Sequence, residues 1–400
     1  MRRYRTSVES PSLRVASGTT ALLFLTLAGC GGSSDAAAPV TPAVRYPGIA
    51  AALTLNPEKL LDYARASRPI NFTAEQLRLQ DNMPGSNNPT TNAGATLGRV
   101  LFYDKALSIN GEASCASCHR LSAGLADTTR FSVGFDGRLN THATAMRLLN
   151  LRFFGPGTEF WDQRAASLED QVTQPIRDSI ELGFTVAVGG IDSLLKRMRA
   201  LPYYPELFSV AFGDDQITEP RLKLALAQYL RSIVSNSSRF DFALTADGGA
   251  IVNRLAPLHQ LTEQENRGKL LFATSNSVGG ANCEVCHRFP SFTLSGGSKS
   301  NGLDAGETPV FKAPSLKSVA QSRHFMHDGR FTTLEQVVEF YNSGIQSGPA
   351  LDLRLTEGSL DRPQRLNLSE ADKAAVVAFL RTLTDELMNT DPRFSDPFRR

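Results

Sequence analysis

Cys-x-x-Cys-His occurs twice in the chain, as Cys115-Ala116-Ser117-Cys118-His119 and as Cys283-Glu284-Val285-Cys286-His287. Two thiols at this spacing add to the vinyl groups of a haem. The imidazole that follows falls under the iron as its proximal ligand, so the pattern is the attachment signal for c-type haem. The two copies use four of the five cysteines. Zinc sites and redox dithiols also begin with Cys-x-x-Cys, but a tetrahedral site pooling both pairs needs no histidine directly after each. Two covalently bound haem c groups are therefore expected, attached at Cys115, Cys118, Cys283 and Cys286, with His119 and His287 as metal ligands.

The fifth cysteine, Cys30, has a different setting. Arg2, Arg3, Arg5 and Arg14 precede the apolar run Ala21–Leu27, and Leu27-Ala28-Gly29-Cys30 reads as a small-residue cleavage site. This is a secretory signal, too short to span a bilayer as a mature helix. Its cysteine resembles the lipobox of bacterial lipoproteins; an ordinary signal peptide with an incidental cysteine is the alternative. Gly31 is not an aspartate, so inner-membrane retention is not indicated. The expectation is a protein on the periplasmic side of a bacterial membrane, lipid-anchored through Cys30, the side on which c-type haem is attached. With 42 Lys+Arg against 40 Asp+Glu, the chain offers no charge for nucleic acid or for a polybasic membrane surface.

The elements that position the motifs follow from the remaining pattern. Residues 1–30 read as the signal, and 31–92 as a flexible tether and N-terminal extension with a short helix around Pro57–Arg65. An internal repeat then appears. Gly98-Arg99-Val100-Leu101-Phe102 precedes the first haem motif by 17 residues, and Gly268-Lys269-Leu270-Leu271-Phe272 precedes the second by 15. Thr262-x-x-Glu265 and Ser369-x-x-Asp372 open helices as capping boxes. Leu222, Ala225, Leu230 and Ile233 share a helical face. The reading is a mainly α fold of two cytochrome c-like haem domains packed against each other, 93–245 and 246–390, with long loops and little β.

Several segments together resemble one family. Leu97–Asp104, the first haem motif, Phe160-Trp161-Asp162-x-Arg164-Ala165 and Pro175–Gly183 come in the order found in the bacterial dihaem cytochrome c peroxidases and their MauG relatives. So do Phe311-Lys312-Ala313-Pro314-Ser315-Leu316 and Phe325-Met326-His327-Asp328-Gly329. The resemblance implies that the N-terminal haem is the peroxide site and the C-terminal haem the electron store. It makes Trp161, the chain's single tryptophan, the residue between the haems. Glu181 becomes the distal proton carrier, accompanied by Gln171. Without the family context, Trp161 reads as packed core and Glu181 as a solvated loop residue.

The resemblance also exposes departures. Tyr341 stands where the best-known peroxidases place a methionine ligand and MauG-like members a tyrosine. Its own context, with Leu334, Val337 and Val338, is an apolar helix face, and Met326 is the reserve ligand. The loop histidine that keeps some peroxidases inactive until reduction is replaced by Phe135, with His142 nearby. Family members bind one Ca2+ between the domains; Thr144, Ser322 and His324 stand where Asn, Thr and Pro are usual.

The function implied is reduction of hydrogen peroxide to water with electrons from a small cytochrome c or cupredoxin. The alternatives are a MauG-like oxidase acting on a protein side chain and a non-catalytic dihaem electron carrier. Homodimers are common in the family.

Overall fold

Each haem motif follows a helix that crosses a later helix at a glycine. A computed structural model of the chain describes residues 45–65, 71–81, 87–155, 157–249, 253–294 and 296–399; the signal, Cys30 and most of the tether lie outside them. Five helices carry the frame: α1 (Asn92–Tyr103), α2 (Glu219–Ser232), α3 (Glu263–Ala273), α4 (Leu334–Glu339) and α5 (Glu370–Arg381). α1 packs on α2 and α3 packs on α5. A Cβ at Gly98 would overlap the Ala225 carbonyl oxygen, and one at Gly268 the Ala375 carbonyl oxygen. The repeated glycine is thus a close-approach point that admits no side chain. Gly268→Val is expected to cost about 1–3 kcal/mol or more, because backbone rather than a movable side chain blocks the methyls. Calorimetric melting of the holo-protein checks this, and an unchanged Tm would contradict the assignment.

Capping fixes where these helices begin. The Thr91 hydroxyl accepts from Gly94 N at 3.0 Å. Thr262 and Glu265 close a reciprocal capping box, and the Ser369 hydroxyl accepts from Asp372 N at 3.2 Å. Two large apolar cores result, with a smaller cluster of Leu303, Phe340, Ile345 and Leu351 beside Tyr341. The first joins Leu97, Leu101 and Phe102 of α1 to Leu222, Ala225 and Tyr229 of α2. The second centres on the rings of Phe240, Phe272, Phe289, Phe292 and Phe379, whose adjacent centroids lie 5.1–6.3 Å apart. The C-terminal tail leaves the second core and returns to the first, where Met388 and Phe394 are buried. Tyr63 Oη donates to Arg393 O at 3.2 Å there, and Thr54 N to Pro397 O at 2.8 Å.

The fold is mainly α; among the described residues only isolated β-bridges occur. One local expectation fails. Residues 57–65 are not a helix, because Asn92 Oδ1 takes the backbone N–H groups of both Tyr63 and Ala64 at 2.9 Å. The short helix lies earlier, at Pro47–Ala52, where the Glu206 carboxylate accepts from Gly48 N and Ile49 N at 2.9 and 2.8 Å.

Candidate active site

Both motif histidines are oriented by the chain that follows them. After His119 the backbone turns back, forming an Arg120–Ala126 bridge, and brings the Leu125 carbonyl to His119 Nδ1 at 3.0 Å. After His287 an Arg288–Thr293 bridge brings the Phe292 carbonyl to His287 Nδ1 at 3.4 Å. Leu125 and Phe292 both have left-handed backbone, with φ of 59° and 56°, which aims each carbonyl at its ring. A carbonyl acceptor on Nδ1 fixes the proton there and leaves Nε2 as the lone-pair nitrogen, the form a metal requires. Burial pushes both imidazoles below their usual range, His287 to about 4, so each is neutral at pH 7.

Each motif opens on its own cavity. Cys283, Cys286 and His287 line one of them. Cys118 and His119 line another, and with Cys115 they also line an adjoining space. Two mainly apolar cavities, each with a thiol pair and a neutral imidazole, fit a haem apiece. The rival zinc reading fails on placement, since the two cysteine pairs face different cavities. Burial also raises Cys115 and Cys283 to about 12 and Cys118 and Cys286 to about 11, the reverse of what a thiolate ligand or redox dithiol needs.

Glu181 and Gln171 both line the His119 cavity. Glu181 is carried on a tight turn: Asp178 Oδ1 accepts from Ile180 N and Glu181 N at 2.8 and 3.0 Å, and Gly183 N closes on Asp178 O at 2.8 Å. Gly183 has φ of 82°, and the Phe135 ring fills the space where its side chain would be. Desolvation, helped by the nearby Asp178 charge and opposed by Arg164, raises Glu181 to about 7. A carboxyl poised there gains and loses a proton readily near neutrality.

Trp161 borders both large cavities, as do Phe311 and His327, whose rings stack with centroids 3.9 Å apart. The indole is held by Nε1 donating to Thr144 O at 2.7 Å, and its own carbonyl accepts from Lys312 N at 2.7 Å. Lys312 is fixed in turn by a buried ion pair to Glu159 at 2.5 Å. Phe311 and His327 lay within the motifs noted above, but nothing in their spacing marked them as shared walls.

In the His287 cavity, Tyr341 and Met326 both face inward. Tyr341 does not continue helix α4: the register breaks into a π-helical turn at Phe340–Gly344, a distortion frequent at functional positions. Met326 has φ of 69°, unusual for a side chain of its size. Asn301, which the sequence reading missed, lies between them, its Nδ2 donating to Tyr341 Oη at 3.4 Å and to Met326 Sδ at 3.5 Å. Burial raises the Tyr341 phenol to about 12, and the Asn301 bond opposes that rise.

A family model for di-haem cytochrome c peroxidase matches residues 92–248. The methylamine utilization protein MauG of Methylophilus methylotrophus is 31% identical over 323 residues, covering 77% of this chain and 88% of that protein. The chain belongs to the di-haem cytochrome c peroxidase and MauG family. Cytochrome c551 peroxidase of Nitrosomonas europaea is 30% identical over 312 residues, covering 73% and 80% of the two chains. A MauG-like protein associated with microbial copper homeostasis superposes with a TM-score of 0.64 at 30% identity, covering 78% of this chain and 95% of that one. The diheme peroxidase BthA of Burkholderia thailandensis shares the fold, with a TM-score of 0.60 at 23% identity over 77% of this chain and 89% of its own. The protein is thus an oxidoreductase of a family whose cofactors are two c-type haems.

Against that family, the Phe135 loop supplies no imidazole. Phe135 packs beside Gly183 and is absent from the walls of the His119 cavity, whereas the exposed His142 sits on its rim. The side chains at the three positions expected around calcium have other hydrogen-bond partners. The Thr144 hydroxyl donates to Arg130 O at 2.9 Å, and its carbonyl already accepts the indole. The Ser322 hydroxyl accepts from the Arg147 guanidinium at 3.3 Å, and His324 Nδ1 faces Gly329 O at 3.1 Å.

Proposed function

We propose that the protein reduces hydrogen peroxide to water in the His119 cavity, drawing electrons through the His287 cavity from a small cytochrome c or cupredoxin. The observation that carries this reading is Glu181: a carboxyl raised to about 7 that, with Gln171, lines the same cavity as a neutral, carbonyl-oriented imidazole. When bound there, haem supplies the redox centre at which the O–O bond is cleaved. Glu181 does the proton work, accepting the proton from one peroxide oxygen and returning it to the other, so that water leaves instead of hydroxide. Gln171 orients the peroxide without exchanging protons. Trp161, bordering both cavities, connects the peroxide site to the electron store, where His287 and Tyr341 would hold the iron.

A plain electron carrier has no use for a distal carboxyl at this pKa. A MauG-like reading, with electrons withdrawn from a protein side chain, is favoured by two particular features: Tyr341 in the second cavity and no imidazole from the Phe135 loop. Export and anchoring through Cys30 suit either reading.

The test is steady-state peroxide consumption by holo-protein with a reduced small c-type cytochrome as donor. Two donors oxidised per peroxide consumed are expected. Peroxide consumption only in the presence of an oxidisable protein substrate would favour the MauG-like alternative.

A further inference from the structure

Four buried cations in this fold are matched by carboxylates: Arg152 lies on Asp81, Arg231 on Glu169, Lys312 on Glu159 and Lys317 on Asp241. Arg99 and Lys269 are buried on neutral oxygens, away from the haem-motif cavities. Arg147 differs from both groups in its place. It is 9% exposed and lines the same cavity as Cys283, Cys286 and His287, yet among the described residues no carboxylate pairs with it. Its Nε and Nη2 donate to Ser315 O at 3.2 and 2.9 Å, and its Nη1 to Ser322 Oγ at 3.3 Å. All three acceptors are neutral oxygens, and these bonds leave other N–H groups of the fork unused. Desolvation alone lowers its pKa, to about 10, with no charged neighbour compensating.

Burying a guanidinium without a counter-ion is costly, and removing it from water is offset only when an anion meets it. The planar fork is shaped for a carboxylate. We propose that Arg147 is the carboxylate-binding residue of the C-terminal haem site, pairing with a propionate group of the haem attached at Cys283 and Cys286. Arg147 belongs to the N-terminal half and Ser315 and Ser322 to the C-terminal half, so one fixed charge both ties the halves and serves the cofactor. The proposal rests on the second Cys-x-x-Cys-His holding a haem.

A guanidinium on a propionate favours the reduced, less positive haem, so removing it lowers that haem's potential. Holo-protein, R147Q and R147K are compared by spectroelectrochemical titration, after haem is counted per chain by the alkaline pyridine assay. The expected result is two haems in each, a selectively lower midpoint potential for the C-terminal haem in R147Q, and recovery of most of the shift in R147K. Equal potentials in wild type and R147Q, or equal shifts at both haems, would overturn the proposal. Should R147Q not assemble, R147K carries the test by resonance Raman: the propionate-bending mode of one haem is expected to shift, and an identical mode in wild type overturns the pairing. A single haem per wild-type chain would instead refute the dihaem reading beneath it, and the haem count tells the two failures apart.

Discussion

Glu181→Gln is expected to slow peroxide reduction by about 100- to 10,000-fold, the usual range for a positioned acid–base group, with both haems still attached. Glutamine keeps the volume and a hydrogen-bonding oxygen but cannot carry the proton between the two peroxide oxygens. The pH dependence gives a second signature. Glu181 must be ionised to accept a proton, and burial raises it to about 7, so the wild-type rate rises with pH through that region. In E181Q the limb disappears. Stability moves the opposite way. The folded-state pKa lies above the ordinary carboxyl value of 4.5, so the stabilising contribution of the protonated group is full below about 4.5 and is lost as pH rises through about 7. E181Q should therefore be more stable than wild type at pH 8, by an amount on the order of 3 kcal/mol, and gain nothing at pH 4. Melting curves at the two pH values check the sign. A variant that loses activity without gaining stability at pH 8 would mean that Glu181 is not a desolvated carboxyl.

Tyr341→Met is expected to raise the midpoint potential of the C-terminal haem by roughly tenths of a volt, a fraction of the ~0.8 V that axial ligands span. An anionic phenolate stabilises oxidised iron, whereas a thioether favours the reduced state. Because burial raises the free phenol to about 12, ligation must displace its proton, with Asn301 donating to the same oxygen at 3.4 Å. The change should make that haem hold a donated electron more tightly. An unchanged potential in Y341M would transfer the ligand role to Met326, and Met326→Leu would then move the potential instead.

The sequence made some of this legible and not the rest, for physical reasons. Both haem motifs, the helix starts at Thr262 and Ser369 and the repeat around Gly98 and Gly268 could be read directly, because they are local patterns with fixed spacing. Why those glycines are required was not readable, since the reason is a helix passing overhead at Ala225 and Ala375. By periodicity alone Tyr341 was one more apolar position on a helix face, and only the family resemblance marked it as a ligand. The π-helical turn that swings it into the cavity leaves no trace in periodicity. The expected helix at 57–65 failed because Asn92, distant in sequence, captures its backbone N–H groups. Arg147 was invisible as a site residue: only folding reveals a buried arginine with no acid beside it. Glu181, Gln171 and Trp161 were placed by resemblance, and what folding adds is their shared cavity and the desolvation of the carboxyl.

The most direct test of an open peroxide site served by Glu181 is stopped-flow mixing of hydrogen peroxide with holo-protein, comparing the fully oxidised form with the one-electron-reduced form. With Phe135 at the loop-histidine position and outside the walls of the His119 cavity, the fully oxidised protein is expected to react at once, at a rate linear in peroxide concentration and slowed about 100- to 10,000-fold in E181Q. If only the half-reduced protein reacts quickly, another ligand, with His142 on the cavity rim as the candidate, must leave first, and the open-site account is wrong.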